Sequence, residues 1–272
     1  MRGRRVAAAP RIERAGEWLF KAHQNRESFA SLPAELAPND MGEAYAIQSQ
    51  YVGRRAEKLG PVAGYKIALT TPAMRAMVGL NDSISGDMLA GTIHRGSGTR
   101  VRAADYGRLI VEFEIGFEMA EDLPAIDAPY TRERIAKSVA AAMPALEIAD
   151  DRNADYAKLK ENVLILAADN AWNEGAVLGV PVRDWQSIDL AALKGVASIN
   201  GAVVGEGHGR DVMGHPLDAL AWIANNLASR GLGLWRGDFV ITGSLVTSKF
   251  PKAGDAIRFE AGALGAVELA VA

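Results

Sequence analysis

The sequence predicts an α+β protein: a helical N-terminal segment over residues 1–60, packed on a β-rich unit over residues 61–272 with a β-roll or β-sandwich core. Three observations carry this expectation. Apolar residues recur at helical spacing in the first sixty positions. From Val62 onward, short apolar segments alternate with glycine-rich turns, as strands do. Strands and helices do not alternate regularly, so a doubly wound parallel sheet is not expected.

Ile12, Trp18, Leu19 and Ala22 mark the first helix. The second starts at Asp40, which can cap it, with Glu43 three residues on as capping-box partner; Gly60 and Pro61 end it. The expected strands are VAGYKIALT, RLIVEFEIGFEM, PALEIAD, GAVLGVPV, GVASINGAVVG, DFVITGSLV, DAIRFEAG and GAVELAVA. Helices are expected at 131–142, 155–168 and 216–230, the last with Pro216 in its first turn. No fixed-period repeat, low-complexity tract or linker interrupts the chain.

Composition narrows the functional classes. The chain has 272 residues, 49% of them hydrophobic, enough to bury a large core. Charged residues make up 23% and the formal net charge is −3, so no basic excess exists to neutralise a phosphate backbone. The basic opening, MRGRR, is short and reads as a disordered terminus rather than a nucleic-acid arm. There is no cysteine, which excludes disulfides, thiolate metal sites and cysteine nucleophiles. No apolar run reaches the ~18 residues of a membrane span, and the N-terminus lacks an apolar signal segment. A soluble cytoplasmic protein with neither nucleic-acid nor membrane partner is expected.

Leu109 to Met119 alternates most sharply. Leu109, Val111, Phe113, Ile115 and Phe117 share one face; Glu112, Glu114 and Glu118 share the other with Ile110 and Gly116. Two glutamates at i and i+2 lie about 7 Å apart along a strand and repel unless a cation stands between them. Glu147, 33 residues after Glu114 (147 − 114), offers a third carboxylate on another apolar segment. Three carboxylates plus waters suit Mg²⁺ or Mn²⁺; zinc is disfavoured without cysteine or paired histidines. The pattern alone fits a solvent-facing row of glutamates better, and Glu147 serves equally as a buried structural residue. The glycines of GEGHG (205–209) read as a hairpin turn rather than a phosphate loop. His94, His208 and His215 lack ligand spacing and read as loop or helix-cap residues, and the five tryptophans as core or interface residues.

Glu112-Phe113-Glu114 followed by Glu147 resembles the E-x-E…E metal motif of the fumarylacetoacetate hydrolase superfamily. GYKIALTT (64–71), EFEIGFEMAEDLP (112–124), PALEIADDR (144–152), AADNA (167–171), MGHPLDALAWIANNLASRG (213–231) and GDFVITGSL (237–245) resemble its hydratase and decarboxylase subgroup, in order, over roughly residues 40–272. The resemblance implies that superfamily's β-roll or sandwich core. It implies Mg²⁺ or Mn²⁺ on Glu112, Glu114 and Glu147. It implies a hydratase of small 2-hydroxy-2,4-dienoates from aromatic-compound breakdown, a homo-oligomer that can associate with a decarboxylase or aldolase of the same pathway. Lys66 would donate to the substrate or transfer protons, its pKa lowered by a cationic neighbour and partial burial. Ser244 would contact the substrate carboxylate or, about equally, satisfy its own turn.

Three departures touch the expected pocket. Ile84 replaces an acid of the hydratases, with Asp82 and Asp87 as nearby substitutes; Trp172 replaces a serine; and Ala68 and Thr71 alter the lysine segment. A 4-oxalocrotonate-type decarboxylase and a degenerate, non-catalytic partner subunit are the alternatives. A hydrolase of acylpyruvates fits the KIALTT and GHPLDA segments less well.

Overall fold

A computed structural model describes residues 9–30, 32–96 and 98–272; the basic opening stretch lies outside them. α1 (Pro10–Gln24) starts with proline in its first turn. α2 (Met41–Leu59) is capped by Asp40, which accepts from Glu43 N at 2.8 Å. Glu43 returns the bond to Asn39 N rather than to Asp40, and Gly60 at φ 80° closes the helix. β1 (Val62–Ala68) leads into α3 (Pro72–Val78), a helix the strand-dominated pattern does not suggest. Its signals are nonetheless local: Thr71 caps Met74 N, proline opens it, and Gly79 at φ 72° ends it.

The chain continues through β2 (Ile84–Leu89), β3 (Ile93–Arg95), β4 (Thr99–Val101), β5 (Leu109–Met119), α4 (Arg132–Lys137), β6 (Val139–Asp150), α5 (Val163–Ala168), β7 (Asn173–Leu178), β8 (Lys194–Ile199), β9 (Ala202–His208), α6 (Pro216–Ser229), β10 (Phe239–Lys249), β11 (Ala256–Ala261) and β12 (Ala266–Val271). Two mixed sheets result, in the orders β2-β1-β10-β5-β6-β7-β3 and β4-β12-β11-β8-β9. The α+β class with a β-rich core is the one expected from the sequence.

Four local expectations are corrected. The helix expected at 131–142 stops at Lys137, because Val139–Asp150 is taken up by the β5–β6 ladder. The helix expected at 155–168 shrinks to a 3-10 turn at Tyr156–Lys158 and to α5. GVASINGAVVG is two strands around an Asn200–Gly201 turn with φ 53° and 81°. GEGHG is therefore no hairpin turn but the end of β9. A Cβ at Gly207 would sit 1.9 Å from Leu245 O, and one at Gly209 1.8 Å from Leu190 O, so these glycines permit close approach of backbones. Among the histidines, His94 lies on β3, whereas His215 caps α6 by accepting from Leu217 N at 3.0 Å.

The two faces of β5 meet different partners. Val111, Phe113, Ile115 and Phe117 enter a core shared with Phe259, Val267 and Leu269 of the second sheet and with Leu220 and Leu227 of α6. On the opposite face, Ile110 and Ala149 join a second core built on α1, α2 and α5. Ala145, Met143 and Ile241 form a third. Register then decides the rest. Ile110 pairs with Ala149, Glu112 with Glu147, Glu114 with Ala145 and Gly116 with Met143. The glutamates are an acidic island between two apolar patches on the helix-covered face.

Candidate active site

Residues directly opposite in an antiparallel ladder point to the same face with Cβ atoms about 5 Å apart, so the Glu112–Glu147 pairing brings those carboxylates together and Glu114 joins them from one step along β5. One carboxylate oxygen from each lies within 4.8 Å of the others. Glu114 and Glu147 are fully buried, contrary to the solvent-facing row that the pattern alone favours, because helices and β10 close over them.

Each carboxylate is fixed by one partner. Glu114 Oε2 accepts from Gly243 N at 2.6 Å, Glu147 Oε1 from Asn173 Nδ2 at 2.9 Å, and Glu112 Oε1 from Ser248 Oγ. Glu114 Oε1 and Glu147 Oε2 have no hydrogen-bond partner. Lys66 Nζ stands 3.2 Å from Glu147 Oε2, an ion-pair contact without hydrogen-bonding angles, and donates to Ala171 O at 3.4 Å. Burial drives Glu114 well above the usual carboxylate range, and Glu147 and Glu112 add to it. Burial also pushes Glu147 up to about 7; Lys66 opposes this and Glu112 reinforces it. The expected lowering of Lys66 is corrected. Burial pulls its pKa down, but Glu147, Glu112 and Glu114 outweigh that, and the net direction is up.

These residues fit a divalent cation. Two buried carboxylate oxygens lack hydrogen-bond partners, and three carboxylates face one ammonium. An all-oxygen donor set suits a hard ion.

Glu112 and Lys66 line a cavity of about 480 Å³ with Thr70, Trp172 and Ser244. Ser244 sits where the β10–β5 register shifts. Its Oγ accepts from Phe113 N at 2.8 Å and donates to Val246 O at 2.6 Å, so its hydrogen is committed to the bulge. Ile84 is buried in the second core, while Asp82 Oδ1 accepts from Trp222 Nε1 at 2.7 Å. Neither Asp82 nor Asp87 lines the cavity.

A left-handed turn that the sequence reading did not anticipate organises the site. Asn170, Ala171 and Trp172 have φ of 55°, 48° and 63°, an unfavourable run for residues with side chains. Asn170 holds both backbone polar groups of Asp87, at 2.7 and 2.9 Å. The turn aims Ala171 O at Lys66, puts Trp172 on the cavity wall and delivers Asn173 to Glu147. Its ends are gripped ionically. Arg152 and His23 hold Asp169, and Arg55 and His23 hold Glu174. Burial would raise Glu174, but Arg55 and His23 win and bring it down to about 2. The available signal was polar Asp169 and Asn170 inside an apolar run. Gly243 and Ser248 carried none.

The family model described as Fumarylacetoacetate (FAA) hydrolase C-terminal matches residues 81–272. The chain belongs to the fumarylacetoacetate hydrolase family. Within it, the chain resembles the hydratase subgroup. It is 30% identical over 251 residues to 2-hydroxyhexa-2,4-dienoate hydratase of Comamonas testosteroni, covering 92% of each chain. It is 30% identical over 256 residues to 2-keto-4-pentenoate hydratase of Paraburkholderia xenovorans, covering 94% of this chain and 93% of the relative. Among solved structures, 4-oxalocrotonate decarboxylase from Pseudomonas putida G7, complexed with calcium and acetate, superposes with a TM-score of 0.87 at 25% identity, over 99% of this chain and 100% of that one. The same decarboxylase complexed with magnesium and adipate gives 0.86.

Proposed function

We propose that this family member is a metal-dependent hydro-lyase that adds water to small 2-hydroxy-2,4-dienoates in the catabolism of aromatic compounds. The single observation that carries this is the convergence of Glu112, Glu114 and Glu147 within 4.8 Å, with Lys66 at 3.2 Å from Glu147, beside a cavity that opens to the surface. The hydratase names of full-length relatives supply the reaction class. Glu112, Glu114 and Glu147 would hold one divalent cation, Mg²⁺ or Mn²⁺, a choice supported by the oxygen donors and by the magnesium and calcium of the similar decarboxylase. The ion supplies Lewis acidity toward a 2-oxo acid.

The chain's own residues do the remainder. Gly243 N, Asn173 and Ser248 fix the carboxylate orientations. Lys66 donates a hydrogen bond to the substrate's 2-oxygen and returns a proton to the carbon skeleton as the dienol becomes a conjugated 2-oxo enoate. Water then adds its hydroxyl at the far alkene carbon while Lys66 again stabilises the enolate charge on the 2-oxygen, and the proton that water loses ends on the neighbouring alkene carbon as the enolate returns to the ketone. In this scheme Ser244 re-aims its hydroxyl from Val246 O to the substrate carboxylate. Leu69, Ile110 and Leu166 keep bulk water from the reacting atoms.

Residues 61–272 carry the chemistry, since Lys66, Glu112, Glu114, Glu147 and Ser244 all lie there, and residues 1–60 buttress it: α2 packs on α5 and β2, and His23 and Arg55 hold the ends of the left-handed turn. Among the described residues no helix is long and apolar enough to cross a membrane. A cytoplasmic location, self-association and pairing with a pathway decarboxylase or aldolase rest on the family resemblance. The test is loss of dienoate absorbance on adding 2-hydroxypenta-2,4-dienoate to EDTA-treated protein with and without Mg²⁺. Metal-dependent loss well above the background is expected; none with any divalent ion would support a non-catalytic partner instead.

A further inference from the structure

The cavity beside the glutamates is larger and less polar than a five-carbon dienoate requires. Its volume of about 480 Å³ falls within the ~300–1,000 Å³ of sites that enclose drug-sized ligands. Its chemistry is one-sided. Lys66, Glu112, Ser244 and Ser248 come from the sheet, whereas the walls and mouth are formed by Leu69, Met74, Met77, Leu159, Leu166 and Trp172. Met74 and Met77 are 39% and 53% exposed, unusual for large apolar side chains, and their flexible thioethers adapt to irregular apolar shapes. Trp172 is locked by edge contacts to Phe29 and Tyr156, at 5.1 and 5.9 Å between ring centroids, and by the left-handed turn behind it.

Charge is as informative as shape. Among the described residues that line the cavity, Lys66 is the only cation, and it already faces Glu147. Asp211 adds a further negative group to the lining. The nearby arginines are committed elsewhere: Arg75 to Leu69 O and Ser83 Oγ, Arg108 to Asp151. A second carboxylate at the far end of a substrate would lose its hydration without gaining a partner.

We propose that the outer part of this cavity is an apolar subsite, selecting 2-hydroxy-2,4-dienoates that bear an alkyl or aryl group at the end remote from the carboxylate and rejecting diacids. The inference rests on the hydratase function proposed above. It also separates this chain in substrate from an oxalocrotonate decarboxylase, whose substrate is a diacid.

The test is calorimetric binding, in Mg²⁺, of the unreactive saturated acids 2-oxopentanoate, 2-oxohexanoate, 2-oxooctanoate and 2-oxoadipate, alongside kcat/KM for dienoates with no tail, an apolar tail and a terminal carboxylate. Affinity is expected to rise about fourfold for each methylene buried. 2-Oxoadipate should bind about tenfold or more weakly than 2-oxohexanoate, and kcat/KM should follow the same order. Met77→Arg, at an exposed position on the cavity mouth, should narrow the discrimination against 2-oxoadipate relative to 2-oxohexanoate. Affinity that is flat with chain length, or a diacid that binds as well as its monoacid, overturns the subsite. Turnover of the tail-free dienoate with such a flat series sinks the subsite alone. Tight binding of long 2-oxo acids without turnover of any dienoate sinks the hydratase function and leaves the subsite standing.

Discussion

Removing one negative charge from the glutamate cluster should stabilise the metal-free protein. Glu147→Gln is the clearest perturbation, since its amide oxygen can still accept from Asn173 Nδ2, now 2.9 Å from Glu147 Oε1. Burial, reinforced by Glu112 and opposed by Lys66, moves Glu147 from 4.5 to about 7. An acid with a raised folded pKa keeps its proton after the unfolded chain has lost it. Stability therefore falls as pH rises from about 4.5 and levels off above about 7. At about 1.4 kcal/mol per pH unit, the distance from 4.5 to about 7 amounts to about 3 kcal/mol lost by pH 8. Lys66 retains Glu112 and Glu114 in the variant but loses Glu147, the largest of the three charges that support it, so part of that gain is given back.

The assay is urea denaturation in EDTA at pH 5 and pH 8, reading midpoint and slope. The native protein should be less stable at pH 8, and Glu147→Gln should remove the part of the difference that Glu147 contributes, the rest staying with Glu114, which burial also holds well above the usual carboxylate range. His23, whose pKa is raised, contributes its own decline above 6.5 in both proteins, so the difference between native and variant leaves it out. Mg²⁺ at a hundredfold excess over Kd should stabilise the native protein by about 2.7 kcal/mol and the variant by much less. A native protein no weaker at pH 8 than at pH 5, or a variant weaker than native at pH 8, would refute the idea that these carboxylates repel each other in the absence of a cation.

Three further outcomes are expected. Lys66→Met should cut turnover by about 10²–10⁴ without weakening metal binding by calorimetry, because it removes a proton donor and a competitor for Glu147; near-native turnover would make Lys66 structural. Ser244→Ala should raise KM about tenfold if the hydroxyl meets the substrate carboxylate, whereas a lower urea midpoint with unchanged KM would confine it to the β10 bulge. Arg55→Met should cost about 1–3 kcal/mol at pH 7, because it leaves part-buried Glu174 with His23 as its remaining ionic partner. Glu174, drawn to about 2, contributes stability that is complete above 4.5 and is lost as pH falls toward about 2, so the penalty should shrink in acid.

Much of the fold was legible because its strands obey a period of two. The alternation of Leu109 to Met119 fixed which side chains enter the sandwich, and it placed Glu112 and Glu114 together. That Glu147 lies directly across from Glu112 is a matter of register, which one sequence does not disclose. Burial of the glutamates was illegible for a similar reason: it depends on α2 and α5 covering a face that the alternation marks as polar. The truncated helix after Thr131 shows tertiary pairing overriding local preference, since alanines of residues 140–145 suit a helix but are claimed by β5. The supports of the site were hidden by distance. Glu114 is anchored by an amide 129 residues away, and the left-handed turn uses asparagine, alanine and tryptophan where glycine would have advertised it.

The most direct measurement is proton NMR of the products formed from 2-hydroxypenta-2,4-dienoate and from 4-oxalocrotonate by the Mg²⁺-loaded protein, with Glu114→Gln as control. The account predicts 4-hydroxy-2-oxopentanoate from the first, little reaction with the second, and neither from the variant. Release of CO₂ from 4-oxalocrotonate with no hydration of the dienoate, or equal hydration by Glu114→Gln, would contradict it.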